Sequence, residues 1–191
     1  ALRRGKVTFV HRKLNLATYG NLEEAKYFAN GRFMDVFTHE LPWTASVLIC
    51  ADAWNPALVY LAALAGATFL IVPIASARAA VSIEFSNPRA WETALSFYGM
   101  MYGMPVVMSN HCGSRDGEDY WGQSRIVDAH GKVLSMAGGN EELVVADLSY
   151  DAIRQARFQL PTVRDSNLDL IHREIERLDN RIGVLRNLPG T

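Results

Sequence analysis

The sequence predicts an α/β protein, and three observations support that prediction. Short apolar, β-branched segments alternate along the chain with longer segments of helical composition. Proline and glycine stand where helices are expected to begin and end. The composition is that of a folded domain, with 49% hydrophobic and 20% charged residues. At 191 residues the chain fits a single domain with a sizeable core.

In the first half of the chain, strands surround one well-marked helix. Pro56 suits the first turn of that helix, and Gly66 suits the position just beyond its end. The continuous apolar run SVLIC is typical of a buried strand. The predicted elements are a strand at residues 6–11, one or two helical turns in NLEEAKYF, strands at 32–38 and 46–50, a helix at 55–65 and a strand at 68–73.

In the second half, a longer helix is marked at both ends. Asn87 is predicted to cap it, Pro88 to occupy its first position, and Gly103 to follow its last turn. The turn AHG predicts a hairpin between the strands that flank it. The predicted elements are strands at 105–110, 123–128, 132–136 and 142–148, a helix in DAIRQARFQL, a linker at 161–166 and an amphipathic helix in NLDLIHREIERLDNRI.

Charge and cysteine content exclude several classes of protein. Nineteen basic and twenty acidic residues give a net charge of −1, which indicates neither a nucleic-acid nor a membrane partner. No unbroken apolar run is long enough to cross a bilayer. Cys50 and Cys112 are too few for a disulfide framework and fit a reducing compartment, so a cytoplasmic location is expected.

The sequence predicts neither a metal site nor a cofactor. Its five histidines are scattered, and no pair has the i, i+4 spacing of a helical metal motif. The glycines do not form the GxGxxG or GxxxxGK loops that bind nucleotides.

Cys50 is the first candidate for chemistry, because it ends a buried strand just before a helical segment. Amides at such a turn stabilise a thiolate, and the amide of Ala51 is placed to serve an oxyanion. The alternative interpretation is a small buried hydrophobic residue, which is a common role of free cysteine.

Lys13 and the glutamates at 23 and 24 are further candidates. Lys13 lies at the end of the first predicted strand, where an ammonium can stabilise developing negative charge. A carboxylate from Glu23 or Glu24 beside it would hold it or relay protons. The alternatives are a solvated strand end for Lys13 and a solvated helix face that pairs with Lys26.

Taken together, these segments resemble the nitrilase superfamily of carbon-nitrogen hydrolases. The strings HRK, EEAKYFANG and VLICADAWNP follow one another in that family's order. ALAGATFLIVPIAS, PRAWETALSFYGMMYGMPVVMSN and YWGQSRIVDAHGKVL are similar to the segments that follow in the family. The resemblance extends from about Val7 to Leu148, and its specificity lies in the agreement of order and spacing.

The resemblance implies a four-layer αββα sandwich and hydrolysis of a non-peptide C–N bond. By motif match, Cys50 is the nucleophile and Lys13 the lysine that stabilises the oxyanion together with the Ala51 amide. Glu24 lies three residues before Tyr27 in E-x-x-Y-F, so it matches the family's second glutamate better than Glu23 does. Substrate contacts are expected from Trp54, Asn110 and Tyr120.

One departure from the family concerns the general base. The family's base glutamate lies well before the lysine of HRK, whereas the twelve residues before Lys13 include neither Glu nor Asp. Residues 1–160 are therefore expected to be a carbon-nitrogen hydrolase domain that is incomplete at its N-terminus. We expect weak or no turnover from this chain alone. The C-terminal tail of residues 161–191, with its amphipathic helix, is expected at the interface of a homodimer or larger homo-oligomer, or docked back on the body of the domain.

Several functions remain open at the level of the sequence. The preferred function is hydrolysis of an amide or N-carbamoyl compound through a cysteine acyl-enzyme. Hydrolysis of a nitrile ranks second. A catalytically incomplete assembly module is the alternative from another class. A glutaminase domain that supplies ammonia to a synthetase is a third possibility. The sequence shows no nucleotide-binding segment to favour it. Arg78 and Arg115 are candidates to bind a substrate carboxylate, although surface arginines are common.

Overall fold

The computed structural model describes residues 1–20 and 22–186. That part of the chain contains ten strands and four α-helices. The strands are β1 (Leu2–Arg3), β2 (Lys6–Val7), β3 (Val36–Glu40), β4 (Trp43–Val47), β5 (Phe69–Ile74), β6 (Val106–Asn110), β7 (Cys112–Arg115), β8 (Glu118–Trp121), β9 (Arg125–Val127) and β10 (Val133–Met136). The helices are α1 (Pro56–Leu64), α2 (Asn87–Tyr102), α3 (Tyr150–Gln159) and α4 (Leu168–Arg186).

A six-stranded mixed sheet is the centre of the fold. Its order is β10-β9-β6-β5-β4-β3, and β4, β5 and β6 are parallel to one another. The remaining three strands join it antiparallel to their neighbours, while β1–β2 and β7–β8 form separate hairpins. The predicted α/β class is thereby confirmed. The parallel strands carry their following loops to one edge of the sheet, where ligand sites of α/β proteins commonly lie.

Helices α1 and α2 cover one face of the sheet. Alternation along β5 turns Leu70 and Val72 towards these helices, and both side chains are fully buried. They pack in one cluster with Trp91 and Leu95 of α2. Removal of this apolar surface from water, at roughly 25 cal/mol per Å², is the main stabilisation of the arrangement.

The ends of the two helices follow the sequence with one correction. The Asn55 side chain accepts a hydrogen bond from the Ala57 amide and so caps α1. Gly103 has φ of 51° and closes α2 in the left-handed conformation, as expected. Asn87 does not cap α2: it is already in the helix, and its Nδ2 donates to the Ala77 carbonyl at 2.7 Å.

Some predicted elements are wrong for identifiable reasons. The predicted strand at 6–11 ends at Val7: beyond it Thr8 and Phe9 bond only to the N-terminal residue Ala1, and residues 8–11 join no ladder of the described structure. The predicted strand at 142–148 is absent, and its apolar Leu143 and Val145 are exposed. The helical turns predicted in NLEEAKYF are a 3-10 turn at Glu24–Lys26; Asn21, where that prediction begins, lies outside the described residues.

The C-terminal segment packs on the helical layer and then leaves it. Thr162 donates a hydrogen bond to the Met101 carbonyl, and the Tyr60 hydroxyl donates to Ser166. Residues 187–191 lie outside the described part of the chain. Helix α4 confirms the predicted helix, and its role at a subunit interface stays a prediction. Its apolar side chains are exposed in the isolated chain, and they include Leu168, Ile171, Ile175, Leu178 and Ile182. None of the helices described is long and apolar enough to cross a membrane.

Candidate active site

Cys50 lies in a strained turn just beyond β4. The chain leaves the sheet after the Leu48 amide has donated to the Ile71 carbonyl, and a 3-10 helix begins at Cys50 and ends at Trp54. Cys50 has φ of 48°, in the left-handed region that residues with a Cβ seldom adopt. The thiol is half-buried. Such a strand-to-helix turn presents a side chain at the sheet edge with backbone amides beside it.

Lys13 and Glu24 form a close ion pair at this edge. Lys13 Nζ lies 2.6 Å from Glu24 Oε1 and 2.5 Å from Oε2. Glu24 Oε2 also accepts a hydrogen bond from the Ala17 amide at 2.7 Å, and the Lys13 carbonyl accepts one from the Gly31 amide at 2.7 Å. The Ala17 amide thus holds the carboxylate, the carboxylate holds the ammonium, and the Gly31 amide holds the lysine backbone. Charge-assisted contacts of this kind are among the stronger hydrogen bonds in proteins.

The electrostatics of Cys50 show which groups surround the thiol. Burial raises its pKa above the ordinary value and is the largest influence. The Lys13 charge and the amides of Ala75 and Ala51 lower the pKa, while the Glu24 charge raises it. The structure therefore places Cys50, Lys13, Glu24 and Ala51 near one another, and the catalytic roles expected of them stay predictions. The thiol is the dominant form at neutral pH, so a base is needed to form the nucleophilic thiolate.

Tyr19 is a neighbour of this cluster that sequence reasoning missed. Burial raises the pKa of its hydroxyl to about 12, with further contributions from the charges of Cys50 and Glu24. No pattern in the sequence singled it out, because it lies in an irregular loop between Lys13 and Glu24. Its hydroxyl is neutral at physiological pH and is available as a donor near the thiol.

Asp52 is the second residue that the sequence analysis left without a role. Its carboxylate is fully buried and accepts backbone hydrogen bonds from Leu14, Asn15 and Ile49 at 2.9, 2.6 and 3.0 Å. His11 Nε2 lies 3.5 Å from Oδ2. Burial raises the pKa of Asp52, but these four contacts outweigh it and the net direction is downward. An acidic residue two positions after the cysteine of ICADAW was the available signal.

An open cleft of about 590 Å³ adjoins the site. Ala75, whose amide acts on the Cys50 thiol, lies on its wall. Tyr120 lines it with its ring edge against His111, at a centroid distance of 4.6 Å. A volume of several hundred Å³ is the usual size for a small-molecule pocket. The position of Tyr120 agrees with its predicted substrate contact, which stays a prediction.

Asn110 and Trp54 make structural contacts, and the substrate contacts predicted for them stay predictions. Asn110 lines the cleft, but its Oδ1 accepts from the Ser76 amide at 3.0 Å and its Nδ2 donates to the Gly122 carbonyl at 3.0 Å. These bonds tie the end of β6 to the loops that follow β5 and β8. Trp54 lies against Trp91, with ring centroids 4.2 Å apart, in the core beside the site.

The two candidate arginines are already paired with carboxylates. Arg78 Nε lies 2.9 Å from Asp119 Oδ2, and Arg115 Nε lies 3.5 Å from Asp116 Oδ2. All four side chains are exposed, so these pairs contribute little to stability. Among residues 1–20 and 22–186, no group of three or more His, Cys, Asp or Glu side chains is arranged to hold a metal ion.

These features define an α/β protein with a candidate cysteine-nucleophile site at the edge of its sheet. A sequence profile described as carbon-nitrogen hydrolase matches residues 2–158. The chain belongs to the carbon-nitrogen hydrolase family, within the nitrilase superfamily that its motifs indicated.

Known proteins support this assignment. The chain is 26% identical to the deaminated glutathione amidase of Escherichia coli O157:H7 over 86% of its own length. A carbon-nitrogen hydrolase from Helicobacter pylori G27 superposes with a TM-score of 0.77, at 26% identity over 86% of this chain. A glutamate-to-glutamine variant of the amidase of Nesterenkonia sp. AN1 superposes with a TM-score of 0.71, at 26% identity over 89% of this chain; in that structure acrylamide is added at the active-site cysteine.

The chain spans about 60% of the length of these relatives. The covered share is 60% for the Escherichia coli amidase, 60% for the Helicobacter pylori protein and 59% for the Nesterenkonia amidase. The residues matched by the family profile include Cys50 and Lys13. These likenesses give the chain the nitrilase fold.

Proposed function

We propose that this chain carries the cysteine, lysine and second glutamate of a hydrolase that acts on a non-peptide amide or N-carbamoyl compound. Cys50 is the nucleophile, Lys13 stabilises the oxyanion and Glu24 holds Lys13 in place. The observation that carries the proposal is the Lys13–Glu24 ion pair next to a thiol in a left-handed turn. A solvated lysine or a buried structural cysteine requires neither the strained turn nor the charged pair.

The proposed reaction is covalent and needs no cofactor. A base takes the Cys50 proton, and the sulfur attacks the carbonyl carbon of the substrate. The oxyanion formed is stabilised by Lys13 Nζ and the Ala51 amide. The C–N bond then breaks, and ammonia or an amine leaves with a proton returned by the base. Water hydrolyses the thioester, which releases the acid and restores the thiol.

The base is proposed to come from polypeptide outside this sequence. The Glu24 carboxylate faces Lys13 with both oxygens, and the Asp52 carboxylate is occupied by three backbone amides. Neither is free to receive the Cys50 proton. Positioned acid–base catalysis contributes about 10²–10⁴-fold, so the 191-residue chain alone is expected to turn over weakly or not at all.

Amides are preferred to nitriles because two of the relatives named above are amidases. A nitrilase remains the second candidate, in which Lys13 and the Ala51 amide would face a thioimidate nitrogen. We also propose that the protein forms a homo-oligomer and that it is located in the cytoplasm. The exposed apolar side chains of α4 support the first statement, and two free cysteines support the second.

Selective alkylation tests the nucleophile without requiring turnover. We expect iodoacetamide to modify Cys50 in a manner that depends on Lys13, so that Lys13→Met slows the reaction at neutral pH while Lys26→Met does not. Cys50→Ala removes the modification, and Cys112→Ala, the matched control for the second half-buried thiol, retains it. Equal behaviour of the two lysine variants would reject the proposed site and favour an assembly module.

Ammonia release from a panel of amides, N-carbamoyl compounds and nitriles tests the reaction itself. Any activity is expected to be abolished by Cys50→Ala and preserved in Cys112→Ala. Turnover at an ordinary rate by the 191-residue chain would contradict the proposal that the base lies outside it. If the variants keep the oligomeric state of the original chain and alkylation does not depend on Lys13, the assembly module is favoured instead.

A further inference from the structure

We propose that Asp52 is a positioning residue that fastens the Lys13 segment to the Cys50 turn. This inference rests on the proposed function, since it assigns how two of that site's members are held together. Asp52 touches neither the cleft nor the reacting sulfur in this arrangement; it acts through the backbone of its neighbours. Its carboxylate is fully buried.

The contacts of Asp52 divide between two segments that are remote in sequence. Oδ1 accepts from the amides of Leu14 and Asn15, which directly follow Lys13. Oδ2 accepts from the amide of Ile49, which directly precedes Cys50. The carboxylate thus joins the residue after the lysine to the residue before the cysteine. One side chain fixes the relative placement of the two.

The link through Asp52 matters because the backbone around Lys13 lies outside the sheet. Residues 8–15 do not belong to a strand, so no sheet ladder holds Lys13 against the site. Apart from Asp52, three hydrogen-bond contacts hold the Lys13 segment: the Gly31 amide donates to the Lys13 carbonyl, Asn30 Nδ2 donates to the Leu14 carbonyl at 3.1 Å, and Glu24 accepts from the ammonium. The left-handed turn at Cys50 is also strained, and a bond to the Ile49 amide opposes its relaxation.

Only a carboxylate meets these requirements. Three amides and His11 Nε2 point at its two oxygens, and an ionised carboxylate is acceptor-only. An asparagine in the same position keeps one acceptor, which Leu14 and Asn15 would share. Its NH₂ group would then face the Ile49 N–H, donor against donor. Asp52→Asn therefore loosens the Cys50 turn with almost no change in volume.

The test is the pH midpoint of iodoacetamide alkylation at Cys50 in the 191-residue chain. The charged and polar groups that act on this thiol are Lys13, Glu24, the amides of Ala51 and Ala75 and the hydroxyl of Tyr19. Removing a negative charge at residue 52 would by itself lower the thiol pKa. Displacement of Lys13 and of the neighbouring amides would raise it. The two effects have opposite signs, so the direction of the shift separates them.

We expect Asp52→Asn to move the midpoint upward, at least half as far as Lys13→Met does. Ile153→Ala, which destabilises the separate cluster around α3, is the matched control and leaves the midpoint in place. An unchanged or lowered midpoint in Asp52→Asn, with a raised one in Lys13→Met, overturns the positioning role and leaves the proposed function standing. Unchanged midpoints in both variants overturn the role together with the proposed function.

Amide hydrogen exchange of the unmodified chain keeps the inference testable if Asp52→Asn fails to fold. The amides of Leu14, Asn15 and Ile49 are expected to exchange slowly and with one common opening rate, because a single carboxylate binds all three. Fast, independent exchange at Leu14 and Asn15 would show that the link is not formed, and would overturn the inference without bearing on the identity of the nucleophile.

Discussion

The Lys13 ammonium is held by both oxygens of Glu24, eleven residues further along the chain, at 2.5 and 2.6 Å. The lysine side chain is largely buried and the glutamate side chain about one-third exposed. The immediate neighbour, Glu23, points away and pairs with Lys26 at the surface. Two adjacent glutamates thus have different partners, which allows a matched comparison.

We expect Glu24→Gln to destabilise the protein and to make Cys50 more acidic. The glutamine amide would face the ammonium, and loss of a charge-assisted bond lowers the free energy of unfolding by about 1.5–3 kcal/mol. The glutamine carbonyl still accepts from the Lys13 ammonium and keeps it in place, so loss of the Glu24 charge, which raises the pKa of Cys50, lowers that pKa. Iodoacetamide alkylation below the midpoint should therefore become faster, opposite to the effect of Lys13→Met. Urea unfolding and the pH profile of alkylation measure the two effects.

Glu23→Gln is the control for this comparison. Its pair with Lys26 is exposed, so the change in the free energy of unfolding is expected to stay below about 1 kcal/mol. The alkylation profile should not move. If the two glutamate variants behaved alike in both measurements, the Lys13–Glu24 pair would have no special place in the site.

We expect Gly31→Ala to displace Lys13 from a distance. A Cβ at Gly31 would lie 2.4 Å from the Arg12 carbonyl oxygen, so the backbone of residues 12 and 13 must shift. We expect a loss of about 1–3 kcal/mol in the free energy of unfolding, as for other overpacked sites. The alkylation profile of Cys50 should move towards that of Lys13→Met.

Gly139→Ala is the matched substitution in open space. A Cβ there meets no heavy atom within 4 Å, so stability and alkylation are expected to be unchanged. A Gly31→Ala variant as stable as Gly139→Ala would mean that residues 12 and 13 yield without strain. The proposed rigid support of Lys13 would then be wrong.

The sequence predicted what depends on periodicity and on motif order. The helices α1 and α2 have apolar residues and proline near their first turns, β5 is a continuous apolar run and β6 begins with one. Cys50, Lys13 and Glu24 were found because their strings occur together in one order. A residue's local pattern is enough in such cases, because burial and chain punctuation act within a few residues.

What the sequence did not predict depends on contacts between remote segments. Asp52 resembles any acidic residue after an apolar run until its three amide partners from two segments are seen. The strand predicted at 142–148 had a suitable composition, but no neighbouring strand pairs with Leu143 or Val145 in the described structure. Strand formation needs a partner, and composition does not report one.

We expect Asn110→Ala to weaken the fold before it weakens ligand binding. The Asn110 side chain bonds to the amide of Ser76 and the carbonyl of Gly122, and its removal leaves both without that partner. A loss of about 1–3 kcal/mol in the free energy of unfolding is expected. Ser109→Ala, an exposed neighbour on the same cleft, should change it by less than about 0.5 kcal/mol. Unchanged stability in Asn110→Ala, measured in urea, would favour the direct substrate contact predicted from the sequence.

Tyr98 makes stability dependent on alkaline pH. Its hydroxyl donates to the carbonyl of Ala53, in the 3-10 helix after Cys50, at 2.8 Å, and burial raises its pKa to about 12. In the unfolded chain the tyrosine pKa is about 10. The raised pKa means that the folded state favours the neutral phenol, so the contribution of Tyr98 to stability is complete below about pH 10 and is lost as the pH rises towards about 12.

Tyr98→Phe should lower the free energy of unfolding at pH 7 by about 1–3 kcal/mol, because the Ala53 carbonyl loses its donor. It should also reduce the fall in stability above pH 10, whereas Tyr27→Phe, at an exposed ring, should leave that fall unchanged. Denaturant unfolding between pH 7 and 11 measures both effects, and a Tyr98→Phe variant with the original alkaline slope would refute the assignment.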